Sequence, residues 1–247
     1  MAKIARYFAS LPYKMRQYGA LAILNKVFVD ASNYLNIGLP NTVKWRAAHK
    51  FHTSWKLQQR KYYGLDEYNK RIDEKSREVL IDFYEVGLSF KGKTVVDVGC
   101  GTRGILPIIS ARRRIGVDPT IEEVKNQFRF YEGAEYISEK IEDCTLPDNI
   151  ADIITCNNTL NHVENPELAL AQMRRILKPG GLLLLEVFIE PRNIAHTYEF
   201  TDYTLHRLVE GFFKPVMVKY EPLEVRVEID EKLDGELPMR WGGIFQK

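Results

Sequence analysis

Cysteine is scarce in this chain of 247 residues: Cys100, Cys144 and Cys156 are the whole supply, and no two of them stand at the close spacing of a thiolate metal site. An odd trio without a CxxC pair implies neither a disulfide framework nor structural zinc, and it suits a reducing cytoplasm. Long apolar runs are missing as well. The one candidate for a signal-peptide core, residues 19–24, is cut off by Asn25 and Lys26, and nothing approaches the roughly 20 apolar residues of a membrane span. We therefore expect a chain that is neither secreted nor threaded through a bilayer. Repeats and low-complexity tracts are absent, and a composition 45% hydrophobic and 28% charged excludes intrinsic disorder. Acidic residues are nearly absent from residues 1–60, where Asp30 alone faces ten Lys and Arg, although the whole chain is only +2. The basic surface is thus gathered at one end and the remainder is net acidic.

What is present divides near residue 91. The length suits one substantial core with an appendage. Before residue 91 the periodicity is helical: one broken stretch over 2–36, a second helix over 42–62, and a third over 67–86 that ends near Gly87. From residue 93 short apolar runs at 94–98, 114–117, 134–137, 152–156 and 182–189 alternate with helical segments, as in a parallel sheet covered on both faces. Between the last two runs a helix is expected over 166–177, opened by Asn165 and stopped by Lys178-Pro179-Gly180-Gly181. A helix over 201–209, a strand over 215–220, an acidic stretch at 228–236 and a closing strand over 241–245 complete the pattern.

Val95-Val96-Asp97-Val98-Gly99-Cys100-Gly101-Thr102-Arg103-Gly104 reads as a strand running into a glycine-rich turn that opens a helix, where N–H groups and the helix dipole hold a nucleotide-type cofactor. Gly99, Gly101 and Gly104 satisfy GxGxxG, and Asp118 follows at the end of the next strand, so a nicotinamide dinucleotide (NAD) competes for the site. Asp97 argues against it. A carboxylate at the strand tip repels a pyrophosphate but attracts the ammonium of S-adenosylmethionine (SAM).

The stretch 97–104, Gly116-Val117-Asp118, Leu146-Pro147-Asp148, residues 152–162 and Leu177-Lys178-Pro179-Gly180-Gly181 resemble the ordered motifs of class I SAM-dependent methyltransferases, over about residues 91–189. The resemblance implies an α/β fold, a Rossmann-like three-layer sandwich with a seven-stranded, mostly parallel sheet, preceded by a helical extension. Residues 1–90 would form that basic, aromatic-rich extension and 91–247 the methyltransferase domain. SAM would lie across the carboxyl ends of the strands and leave as S-adenosylhomocysteine (SAH). Gly99 and Gly101, with Cys100 between them, would line its methionine part, and Asp118 would bond the ribose hydroxyls. Glu142 or Asp143 would face the adenine, against the alternative of solvated loop carboxylates. Asn157 would sit near the methionine amino group or the methyl. Arg103 departs from the glycine common there: either the turn shifts to use Gly104, or the guanidinium reaches the cofactor carboxylate.

Methyl transfer to a hydroxyl needs in-line positioning and removal of a proton. His162, after the fourth strand, and His196, after the fifth, are candidate bases, each weighed against a packed histidine that only orders its loop. Asn157-Asn158-Thr159 lacks the Asn-Pro-Pro-Tyr pattern of amino methylation, no carboxylate cluster suggests a metal, and Cys156 reads as a small core residue. The expected acceptor is a hydroxyl on a small molecule, saccharide or lipid-linked compound. The N-terminal mixture of basic and aromatic residues leaves three readings open: a lid, a peripheral contact with anionic membrane through residues 1–60, or an RNA grip. An RNA methyltransferase, a non-catalytic SAM-binding partner protein and an NAD-linked oxidoreductase are the competing functions.

Overall fold

The computed structural model describes residues 39–189, 196–222 and 239–247. The helix expected within 2–36 and the acidic stretch 228–236 lie outside the described residues. Helices α1, Asn41–Tyr63, and α2, Leu65–Glu85, fall within two residues of the spans read from periodicity. Strands β1, Thr94–Val98, β2, Arg113–Val117, β3, Glu135–Ile137, β4, Ala151–Asn157, and β5, Leu177–Ile189, follow, with the single-turn helix α3, Ile121–Val124, and helix α4, Pro166–Ile176, between them. Helix α5, Asp202–Glu210, and strands β6, Lys214–Pro222, and β7, Met239–Gln246, close the described chain.

One sheet of seven strands results, in the order β3-β2-β1-β4-β5-β7-β6. Strands β1 to β5 pair in parallel, and β7 runs antiparallel to both β5 and β6. Alternation along β1 builds two cores. Val96 and Val98 pack with Leu170 and Met173 of α4 and Leu205 of α5 on one face. Val95 packs with Leu80 and Phe83 of α2 and with Ile105 on the other. Because side chains on a strand alternate between faces, a fully buried strand requires this cover on both sides. The three-layer sandwich expected from the sequence is thereby formed. No described helix is long and apolar enough to cross a membrane.

Local chemistry explains the element ends. The Asn165 side chain accepts the Leu168 N–H at 3.0 Å, Pro166 takes the first helical position of α4, and Thr201 and Thr204 form a reciprocal cap on α5. Two expectations need correction. The Lys178-Pro179-Gly180-Gly181 stop does end α4, but β5 already begins at Leu177, which pairs with Ala151 before the register slips to Ile153↔Leu182. The glycine loop does not open a helix. Residues 101–108 form successive tight turns, with N–H to carbonyl bonds Arg103→Cys100, Leu106→Arg103 and Ile108→Ile105 of 3.2, 3.3 and 3.1 Å. Gly104 at φ 53° leaves the helical region, and Pro107 has no N–H for an intrahelical bond and crowds the preceding turn.

Candidate active site

Parallel strands deliver their carboxyl ends to one edge of the sheet, where the sequence places every candidate residue. At the end of β1, Gly99 has φ 73°, and a Cβ there would lie 2.0 Å from Thr159 Oγ1, so the Thr159 side chain of the loop after β4 packs directly on the Gly99 backbone. Gly104 is equally constrained: its Cβ would fall 1.9 Å from Asp97 Oδ2. Asp97 is buried beneath this turn. Its Oδ1 accepts from Thr155 Oγ1 at 2.7 Å and its Oδ2 from the Ile105 N–H at 3.0 Å. Burial pushes its pKa up to about 6, against the lowering effect of those two bonds. Each carboxylate oxygen thus takes part in bracing β1, one against β4 and the other against the loop.

Asp118, just past β2, behaves differently. Its Oδ1 accepts from the Thr120 N–H at 2.8 Å and the Thr120 hydroxyl at 2.5 Å, and its Oδ2 accepts from the Gly101 N–H at 2.8 Å. Lys56 Nζ stands 3.6 Å from Oδ2 and donates to Thr120 Oγ1 at 2.8 Å. Burial raises this carboxyl, but Lys56, the Thr120 hydroxyl and the two backbone N–H groups outweigh it and hold the pKa below the usual range. Arg103 points away from this cluster. Its Nε and Nη2 form a fork on Asp73 of α2 at 3.0 and 2.9 Å, while Ser76 of α2 donates to the Gly104 carbonyl at 3.0 Å. Of the two readings of Arg103, the positive φ of Gly104 and this fork support the shifted turn.

The remaining candidates separate by burial. Glu142 is buried and its Oε1 accepts the Glu164 and Asn165 N–H groups at 2.7 and 3.2 Å, ordering the turn that precedes α4. Asp143 beside it is exposed and 3.8 Å from Lys140. Asn157 ends β4 with its side-chain oxygen buried and without a hydrogen-bond partner among the described residues. Cys100 contributes backbone to the loop, but its thiol packs with Leu106 and Ile121, and burial raises its pKa well above the ordinary thiol value. Cys156 is likewise buried and raised, which removes thiolate chemistry at neutral pH.

His162 and His196 come together. Their ring centroids are 4.8 Å apart, and His196 Nε2 lies 2.8 Å from the Asn161 amide. Burial, followed by repulsion from His162, lowers the His196 pKa to about 3. Such a ring stays neutral but takes up a proton poorly at pH 7.

Sequence reasoning missed the contribution of α1. Its side chains at 41, 45, 49, 52, 53 and 56 lie along one helical face laid over the strand ends. Asn41 bonds the Tyr198 hydroxyl, Trp45 receives Lys140 Nζ 4.5 Å from its ring centroid, and His49 and Thr53 meet the two oxygens of Glu123 at 2.7 and 3.0 Å. His52 Nε2 stands 3.2 Å from His162 Nδ1. The spacing of His49, His52 and Lys56, three and four residues, was the available signal that they share a face.

Comparison with known proteins shows what this arrangement resembles. A family model described as a methyltransferase domain matches residues 96–185. A probable methyltransferase of Aspergillus luteorubrus is 32% identical over 146 residues, covering 52% of this chain and 50% of the relative. A ubiquinone biosynthesis O-methyltransferase of Coxiella burnetii is 32% identical over 142 residues, covering 54% and 60% of the two chains. The chain thus spans between half and three fifths of the length of these curated relatives. In fold, the crystal structure of an S-adenosylmethionine-dependent methyltransferase from Mesorhizobium loti superposes with a TM-score of 0.51 at 18% identity, covering 68% of this chain and 98% of that one. Matched sequence and fold agree with the order of the motifs: residues 96–185 are similar to the methyltransferase domain of the family model, and the described fold is that of the Mesorhizobium loti structure.

Proposed function

We propose that this chain transfers the methyl group of SAM to a hydroxyl oxygen of a small-molecule, saccharide or lipid-linked acceptor, with His162 as the base that takes the hydroxyl proton. The observation that carries the reading is the histidine cluster at the carboxyl end of β4, beside the glycine loop and the orphaned Asn157 oxygen. The name of the Coxiella burnetii relative as an O-methyltransferase supports oxygen as the methylated atom.

The residues suit SAM on two counts. A buried amide oxygen with no donor costs free energy unless a ligand supplies one, and the ammonium of SAM's methionine part is such a donor for Asn157. Asp118 is kept ionised by its neighbours and is fitted to accept from ribose hydroxyls, in exchange for or alongside Lys56. Glu142, with one oxygen on the α4 turn, lies on the adenine side in this reading. When bound, SAM supplies an electrophilic methyl on a sulfonium and departs as SAH. His162 then needs only to accept one proton from the acceptor hydroxyl, and His196, too weakly basic to compete, orders the loop beside it with Asn161. The described face of α1, turned toward the strand ends, favours the lid among the three readings of the N-terminal region.

Calorimetric titration of the full chain with SAH and, separately, with NAD tests the cofactor. Micromolar SAH binding with no NAD binding is expected; the reverse would return the chain to the oxidoreductases. Turnover of SAM against phenolic, saccharide and lipid-linked hydroxyls then tests the acceptor class, and methylation of RNA alone would overturn it.

A further inference from the structure

Lys56 belongs to α1, outside the matched stretch 96–185, yet its ammonium reaches both the glycine loop and Asp118. A Cβ built on Gly101 would meet Lys56 Nζ and Cε at 3.5 and 3.6 Å, so the end of this side chain rests on the loop. The same Nζ stands 3.6 Å from Asp118 Oδ2 and donates to Thr120 Oγ1 at 2.8 Å. Hydrogen-bond capacity at Asp118 gives the consequence. Its Oδ1 already takes two donors, the Thr120 N–H and hydroxyl, while Oδ2 takes the Gly101 N–H. A carboxylate offers about four acceptor sites in all, so a ribose hydroxyl finds its place on Oδ2, the oxygen that Lys56 faces. Lysine and ribose therefore compete for one position.

We propose that Lys56 is an internal occupant of the cofactor site, a latch that holds the ribose position of Asp118 until SAM displaces it. The inference rests on the ribose reading of Asp118 given above. In the exchange the Asp118–Lys56 ion pair opens and a ribose hydroxyl donates to Oδ2 in its place, so the buried carboxylate is not left short of a donor. The ammonium swings out to water on its flexible four-carbon stem, and its hydration offsets the lost pair. The helix itself stays seated. His49 and Thr53, two turns and one turn before Lys56, keep their bonds to Glu123 of α3, and Leu57 remains packed with Tyr68 and Phe128. When SAH leaves, the lysine returns to Asp118, so the contact that delays cofactor entry also favours product loss. A latched fraction of about nine-tenths weakens the apparent affinity about tenfold, because the ligand binds only the open fraction.

Pulse acetylation of the full chain, read by mass spectrometry, follows the latch in the wild type. Lys56 is expected to react slowly without ligand and about tenfold faster under saturating SAH. Exposed Lys50 and Lys70 should keep their rates. Calorimetry gives a second reading. Lys56→Ala, which removes both the charge and the volume, should bind SAH about tenfold more tightly, whereas Lys56→Arg, which keeps a cation beside Asp118, should bind no more tightly than the wild type. Should Lys56→Ala fail to fold, the acetylation rates decide alone. A Lys56 that reacts no faster with SAH, or a folded Lys56→Ala that binds SAH no more tightly while Asp118→Ala binds it more weakly, overturns the latch and leaves the ribose reading standing. Wild-type affinity in Asp118→Ala, or no SAH binding by the wild type, instead overturns the ribose reading, and the latch with it.

Discussion

Two aspartates end neighbouring strands of the sheet with almost the same exposure, 3% for Asp97 and 6% for Asp118, yet their carboxyls are driven in opposite directions. Burial raises both, so burial does not decide the difference. Asp97 has one hydroxyl and one N–H donor to offset it, whereas Asp118 has one hydroxyl, two N–H groups and a cation. The floor of the site is made by the strands of the sheet, and an acid whose pKa is raised by burial serves there as a brace. The rim is completed by α1, whose Lys56 keeps an acid ionised where a ligand's hydroxyls are expected. One residue type in one motif region thus does two jobs, and the donors around it assign them.

The largest effect is expected from Asp118→Ala. Removing the acid leaves the Lys56 ammonium, with a side chain only 13% exposed, without its charged partner, and stability should fall by about 3–5 kcal/mol in chemical denaturation. SAH binding should weaken by about 1–3 kcal/mol by calorimetry, the cost of losing charge-assisted hydrogen bonds. The double variant Asp118→Ala/Lys56→Met should recover much of the stability and none of the affinity. SAH affinity equal to that of the wild type in either variant would sink the ribose role.

Asp97→Asn breaks the comparison from the other side. The folded pKa of about 6 lies above the ordinary carboxylate value of 3.8, so the folded state holds a proton that the unfolded chain releases. This contribution is fully present below pH 4 and is lost as pH rises through 6, amounting to about 3 kcal/mol. Asp118, shifted downward, has the opposite sign and costs stability only as pH falls through its lowered pKa. Denaturation midpoints for Asp97→Asn should therefore lose the decline between pH 4 and 6, with SAH affinity unchanged. A tenfold weaker SAH affinity with the decline intact would place the Asp97 carboxylate on the ligand's ammonium after all.

Legibility in the sequence followed the range of the forces involved. The strand Thr94–Val98 and the helix Pro166–Ile176 were readable because their signals are local: a valine-rich run leading into a glycine turn, an Asn-Pro start and a Lys-Pro-Gly-Gly stop. The missing helix after the glycine loop also had a local signal in Pro107, which the glycine spacing obscured. Glu142 and Asp143 are adjacent in sequence but divide between interior and solvent, which no periodicity reports over a single 3-10 turn. The pairing of His52 with His162, 110 residues apart, depends on how α1 lies across the sheet edge, and nothing local encodes that angle. Arg103 was left with two readings for the same reason, since its partner Asp73 lies 30 residues away on α2.

Arg103→Lys carries the smallest expected effect and sharpens the distinction between floor and rim. The guanidinium makes two parallel bonds to Asp73, and lysine keeps the charge but cannot form the fork. With side chains 13% and 19% exposed, the pair is partly shielded, so the loss should be about 1 kcal/mol and Tm should fall by roughly 2–4 °C. Ser76 still holds the Gly104 carbonyl, so the glycine loop stays seated and SAH affinity should change by less than about threefold. An Arg103 that bonds the cofactor carboxylate directly would show the reverse pattern, an unchanged Tm with SAH binding weakened tenfold or more. Measuring both quantities on one protein therefore decides whether the loop's arginine works on α2 or on the ligand.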